Sequence, residues 1–128
     1  MDLLDTQVYS VIGEDGFTRL LAAFYRRIPA DDILGPMYPA KDLSGAEERL
    51  RQFLMFRFGG SMEYVERRGH PRLRMRHAPF AVDQRARDRW MQLMRTAMKE
   101  AALPDEAARV LENFFDGTAT FMINRADG

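Results

Sequence analysis

The sequence predicts an all-α fold in one domain spanning residues 1–128. Three observations carry that prediction. Apolar residues recur at helical spacing in separate stretches. No segment combines a two-residue apolar alternation with a hairpin signal. The breaks between the stretches hold proline, glycine or a capping residue, where helices stop and start. The length is that of a single domain, and 46% hydrophobic residues supply one core.

Each element can be justified in order. Val8, Val11 and Ile12 mark a short first helix, stopped near Gly13. Phe17, Leu20, Leu21, Phe24 and Ile28 follow at i, i+3, i+4, i+7 and i+11, and that helix must end before Pro29. Residues 29–43 contain Pro29, Gly35, Pro36 and Pro39 and read as turns with one short helical turn. Ser44-Gly45-Ala46-Glu47 reads as a capping box, in which hydroxyl and carboxylate each satisfy a free backbone N–H. Ala46, Leu50, Phe53, Leu54 and Phe58 then share one face, and Gly59-Gly60 ends the helix. Pro71 suits the first position of a short helix through Leu73, Met75 and His77, which Pro79 limits. Asp83 caps the next helix, with Ala86, Trp90, Leu93, Met94, Ala97 and Ala101 inward. Pro104 and Asp105 open the last, with Ala108, Leu111, Phe114, Phe115, Thr118, Phe121 and Met122 inward.

Composition excludes several classes of function. Cysteine is absent, which removes disulfides, thiolate metal sites and cysteine nucleophiles. A membrane span needs about 20 apolar residues, and charges interrupt every stretch well short of that. The N-terminus, Met1-Asp2-Leu3-Leu4-Asp5, lacks the basic start and long apolar run of a secretory signal, so a cytoplasmic location is expected. Acids and bases balance at 19 each, but unevenly along the chain. Arg67, Arg68, Arg72, Arg74 and Arg76 crowd one segment that contains no acid. A nucleic-acid groove would add lysine and excess positive charge, and Lys41 and Lys99 are the only lysines. The bland reading of the arginine segment is a solvated face. The sharper one is a small anionic partner, because guanidinium holds carboxylates in two-pronged hydrogen bonds.

Few residues can carry chemistry. The two histidines are His70, in a Gly69–Pro71 loop, and His77, behind an arginine run and ahead of Ala78 and Phe80. Two histidines without cysteine make a poor zinc site. A haem iron needs only one axial histidine, and neighbouring arginines would neutralise the haem carboxylates. Taken alone, His77 reads better as an ordinary boundary histidine. Trp90, Tyr25 and Tyr38 each read individually as a buried aromatic whose polar atom finds a carbonyl. Collectively they form a possible polar lid over a ligand. No phosphate loop, nucleophile elbow or metal-hydrolase histidine pair is present.

The segment Glu66-Arg67-Arg68-Gly69-His70-Pro71-Arg72-Leu73-Arg74-Met75-Arg76-His77-Ala78-Pro79-Phe80 resembles the proximal segment of the truncated haemoglobins, most closely group II. Leu43-Ser44-Gly45-Ala46-Glu47-Glu48-Arg49-Leu50 resembles the start of their distal helix. Phe24-Tyr25, Met37-Tyr38-Pro39 and Trp90 are similar to the family's distal aromatic positions. Two places depart from its pattern. Gly13-Glu14-Asp15-Gly16 stands where a double glycine is usual, and Phe58-Gly59-Gly60-Ser61 stands for Trp-Gly-Gly-Pro.

The resemblance implies a shortened globin fold, a two-over-two helical sandwich around haem b. His77 would be the iron ligand. Tyr25, Tyr38 and Trp90 would donate hydrogen bonds to a bound diatomic ligand. Leu50, Phe53 and Leu54 would cover the distal face, and Leu73, Phe80 and Met94 would add contacts. Arg49 and Arg76 would pair with the propionates, and Ala46 would leave a route for gas. The ligands implied are O2, NO, CO or peroxide, with tight O2 binding and slow release. That suits redox chemistry on the ligand, NO dioxygenation or peroxide reduction, or ligand sensing better than transport. An electron donor would be a separate reductase, with neither nucleic acid nor membrane as partner and the protein a monomer or homodimer. The alternative from another class is a haem-free helical interaction module that docks an acidic partner on the arginine segment.

Overall fold

Helical periodicity becomes four α-helices in the computed structural model, which describes residues 3–38, 40–59 and 82–123. They are α1, Val8–Arg26; α2, Leu43–Arg57; α3, Gln84–Glu100; and α4, Asp105–Phe121. Short 3-10 turns at Asp5–Gln7, Gly35–Met37 and Ala40–Asp42 complete the secondary structure, and no strand occurs among the described residues. None of the described helices is long and apolar enough to cross a membrane.

The first helix is one element with a break inside it. Gly13 takes φ 66° and ψ 180°, a conformation open to glycine and almost no other residue. The expected stop at Gly13 is therefore a kink, after which the helix resumes. Val8 and Ile12 are buried before it, whereas Val11 is exposed. Phe17, Leu20, Leu21, Phe24 and Ile28 are all buried, as their spacing predicts.

Three helix boundaries show local chemistry at work. The Asp83 carboxylate accepts from the Ala86 N–H at 2.8 Å, the expected cap. The expected capping box at Ser44 is corrected: the cap is Asp42 and α2 starts at Leu43, two residues earlier than a Ser44 cap would place it, so Ser44 lies inside its first turn. Asp42 holds the cap position, but its carboxylate is taken by Arg49 at 2.6 Å instead of by the backbone. Gly59 ends α2 with φ 95°. A Cβ there would overlap the Thr6 carbonyl oxygen, so glycine lets the N-terminal turn lie against the end of α2. The Tyr9 N–H donates to the Phe58 carbonyl at 3.1 Å across the same junction.

α1 packs on α2 and on α3, and α3 packs on α4. The α1/α2 and α3/α4 pairs are the layers of a two-over-two sandwich. Phe17, Phe24, Phe58, Leu54, Met91, Met94 and Leu111 are fully buried between them. Each such side chain contributes about 1.5–3 kcal/mol relative to leaving it in water. Phe121, expected inward, is 61% exposed. It lies in the last turn of α4, at the edge of the stripe formed by Leu111, Phe115 and Met122. At the rim, Arg87–Asp116 and Arg95–Glu112 tie α3 to α4, and Arg26 and Arg27 both pair with Glu100 to tie α1 to α3. These partly exposed pairs add little each and mainly fix orientation.

Candidate functional site

α1 ends by placing Tyr25 inward, one residue after Phe24, and both are buried. The segment after α1 carries Tyr38, and α3 carries Trp90. The structure brings all three together. The rings of Tyr25 and Tyr38 meet edge to face with centroids 5.9 Å apart. Tyr25 meets Phe24 at 5.1 Å, and Phe24 meets Trp90 at 5.1 Å. On its far side Trp90 meets Phe115 of α4 at 5.3 Å. Trp90 is thus gripped between α1 and α4, which fixes its indole plane.

Polar atoms in this cluster are directed. The Tyr25 hydroxyl donates to the Ala46 carbonyl at 3.3 Å. The Trp90 indole N–H is the hydrogen-bonding neighbour of the Tyr38 phenol and acts to lower it. An indole N–H has no acceptor function, so the Tyr38 hydrogen must point elsewhere. Burial pushes the Tyr38 phenol up to about 12, with the Trp90 hydrogen bond pulling the other way. Burial also raises the Tyr25 phenol well above its ordinary value, helped by Tyr38 and Glu47 and opposed by Arg49. Both phenols therefore keep their protons at neutral pH and remain donors.

The helix faces beside these donors are apolar. On α2, Ala46, Leu50 and Leu54 succeed one another at i, i+4 and i+8, with Phe53 beside them. Phe53 and Leu54 are buried, while Ala46 and Leu50 are partly buried against the core. Phe53 meets Phe114 at 6.2 Å, and Phe114 meets Phe115 at 5.8 Å. Ring contacts therefore run unbroken from Tyr38 to Phe53. Met94 follows Trp90 by one turn of α3 and is fully buried. Arg49 stands at the rim, partly exposed and paired with Asp42. His77, Leu73, Arg76 and Phe80 lie outside the described residues, as does His70.

The residues present fit a haem. By residue type, Leu50, Phe53, Leu54 and Met94 supply apolar side chains that suit a macrocycle, Arg49 supplies a cation for a carboxylate, and the uncharged polar groups of Tyr25, Tyr38 and Trp90 suit a small polar ligand rather than a metal. Among the described residues no histidine and carboxylate group could hold a metal ion itself. Sequence reasoning named Tyr25, Tyr38 and Trp90 but missed Phe24 and Phe115 as their supports. It also missed the ion pair of Arg89 with Asp31, at 2.6 Å, which joins the Tyr38 segment to α3. Periodicity had placed both phenylalanines in the core, but no local signal links residues so far apart in sequence.

Comparison with known proteins agrees with this geometry. Residues 7–124 match the bacterial-like globin family. The group 2 truncated hemoglobin YjbI of Bacillus subtilis is 34% identical over 119 residues, covering 93% of this chain and 89% of its own. The crystal structure of a hemoglobin from Chloroflexus aurantiacus is similar with a TM-score of 0.88 and 49% identity, over 92% of this chain and 98% of that one. A truncated oxygen-avid haemoglobin from Bacillus subtilis superposes with a TM-score of 0.87 and 35% identity, over 91% and 98%. Fold, aromatic cluster and family match agree: the chain belongs to the bacterial-like globins, whose cofactor is an iron-containing haem, and among them it is similar to the group II truncated haemoglobins.

Proposed function

We propose that this globin binds O2 tightly at a haem b held by His77, and that its role is redox chemistry on the bound ligand rather than transport. When bound, the haem supplies an iron that takes a diatomic ligand and exchanges electrons with it. The observation that carries the reading is the joined donor set of Tyr25, Tyr38 and Trp90 inside an apolar wall.

Leu50, Phe53, Leu54 and Met94 shield the ligand side from water, which strengthens every hydrogen bond made there. The Tyr38 hydrogen, freed from Trp90 by the direction of their bond, points to a ligand. Tyr25 can rotate its hydroxyl from the Ala46 carbonyl to the same ligand. A hydrogen bond to a partner carrying negative charge contributes roughly 1.5–3 kcal/mol, and about 1.4 kcal/mol is a tenfold change in affinity. Two such bonds slow release by orders of magnitude, which suits NO dioxygenation or peroxide reduction with electrons from a separate reductase. The oxygen-avid relative from Bacillus subtilis supports the tight-binding reading. Arg49 and Arg76 hold the haem carboxylates, Arg49 by exchanging Asp42 for a propionate. Leu73 and Phe80 complete the apolar contacts.

The test is the visible absorption spectrum of the purified protein, oxidised, reduced and under carbon monoxide. A stoichiometric haem band that shifts with reduction and with carbon monoxide, and that is lost or altered in His77→Ala, is the expected result. No uptake of added hemin overturns the proposal.

A further inference from the structure

The Asp31 carboxylate is only 6% exposed, yet the reading above gives it no role. A buried charge is costly unless fully partnered. Asp31 is partnered on three sides. It accepts from the Leu34 N–H at 2.7 Å and the Ile33 N–H at 3.0 Å, and it pairs with Arg89 at 2.6 Å. The backbone then continues as one hydrogen-bonded run. The Gly35 N–H donates to the Asp31 carbonyl at 3.0 Å, Met37 to Leu34 at 2.9 Å, and Tyr38 to Gly35 at 3.3 Å. Leu34, in the middle, is buried in the core. The position of Asp31 is thereby transmitted to Tyr38. Arg89 is the residue before Trp90 on α3. Two links therefore join the same two segments: the ion pair of residues 31 and 89, and the approach of the Trp90 indole to the Tyr38 phenol. Asp32 also reaches Arg89, at 2.9 Å, but is 73% exposed and screened by solvent.

We propose that Asp31 and Arg89 are a positioning pair that holds the Tyr38 segment against α3, sets the Trp90–Tyr38 hydrogen bond, and so governs ligand release. The last step rests on the reading of Tyr38, oriented by Trp90, as a donor to the ligand.

The test uses the haem-loaded, reduced, carbon monoxide-saturated protein labelled with nitrogen-15. Trp90 is the only tryptophan, so its indole N–H gives a single resonance. Asp31→Asn and Arg89→Met are each expected to shift that resonance, speed its hydrogen exchange, and raise the O2 release rate about tenfold, with the double variant little worse than either single. Arg89→Lys should recover most of the loss. Asp32→Asn, the same charge change one residue on, should leave release within about twofold. Should Arg89→Met fail to fold, Asp31→Asn and Arg89→Lys carry the test, because both conserve volume and shape. An unmoved resonance in Asp31→Asn overturns the pair. So does an unchanged release rate, provided that Trp90→Phe alters release. If Trp90→Phe leaves release unchanged, the donor reading falls instead, and the resonance alone decides on the pair.

Discussion

The Trp90 indole N–H is the hydrogen-bonding neighbour that lowers the buried Tyr38 phenol, so on the proposed reading the two residues are coupled in their action on a ligand. Trp90→Phe removes the bond that orients Tyr38, and Tyr38→Phe removes the donor itself. Each is expected to raise the O2 dissociation rate about tenfold or more, and the pair together far less than additively. Stopped-flow release of O2 from both single variants and the double variant checks this. Because burial pushes the Tyr38 phenol up to about 12, release should not vary between pH 6 and 9 through loss of this donor's proton, roughly three or more units below that value.

Gly59→Ala should cost more than an ordinary surface change. The backbone there has φ 95°, and the added methyl overlaps the Thr6 carbonyl oxygen. Destabilisation of about 2 kcal/mol or more is expected, read as a lower melting temperature.

Ala102 has φ 54° just beyond α3, where a side chain is strained. Ala102→Gly is expected to stabilise the fold by about 0.5–1 kcal/mol, since relief of strain exceeds the added freedom of the unfolded chain. Chemical denaturation measures it directly.

Asp83→Ala removes the acceptor for the Ala86 N–H at the start of α3. The expected loss is about 1 kcal/mol, and Asp83→Asn should recover much of it.

Acid should weaken the fold partly through Asp31. Burial raises its carboxyl, but the Leu34 N–H, Arg89 and the Ile33 N–H together outweigh that and hold it below its ordinary 3.8. A carboxyl depressed in the folded state contributes stability above its unfolded value and loses it as pH falls through the folded one. The melting temperature of the parent should therefore drop more steeply below about pH 4 than that of Asp31→Asn.

Much of this was legible in the chain because helical periodicity is local. Phe17 to Ile28 follow the stripe that burial later selects, and Asp83 announces its helix by its own side chain. On α3 and its C-cap, Ala86, Met94, Ala97 and Ala101 are buried as expected, but Met91 and Met98 are buried in place of Trp90 and Leu93, which are only partly covered. Other features depend on contacts that sequence spacing does not encode. Ser44-Gly45-Ala46-Glu47 satisfies the capping pattern, yet the helix starts earlier, with Asp42 at the cap position and its carboxylate paired to Arg49. Phe121 satisfies the stripe, yet at the last turn of α4 it remains mostly exposed. Tyr25, Tyr38 and Trp90 were legible as residue types, and their grouping came from resemblance. The Asp31–Arg89 link was not legible at all, since it joins a turn to a helix through an intervening element.

The acceptor that holds Tyr25 in place belongs to the main chain of residue 46, not to its side chain. Replacements at that position therefore change the side chain that the family resemblance places at the ligand's entry route while leaving the phenol anchored. On the proposed reading, access and retention become separately adjustable, with ligand entry governed by the bulk at 46 and residence time by the hydroxyls at 25 and 38. A designer wanting a fast sensor or a slow trap from this scaffold could change one without resetting the other.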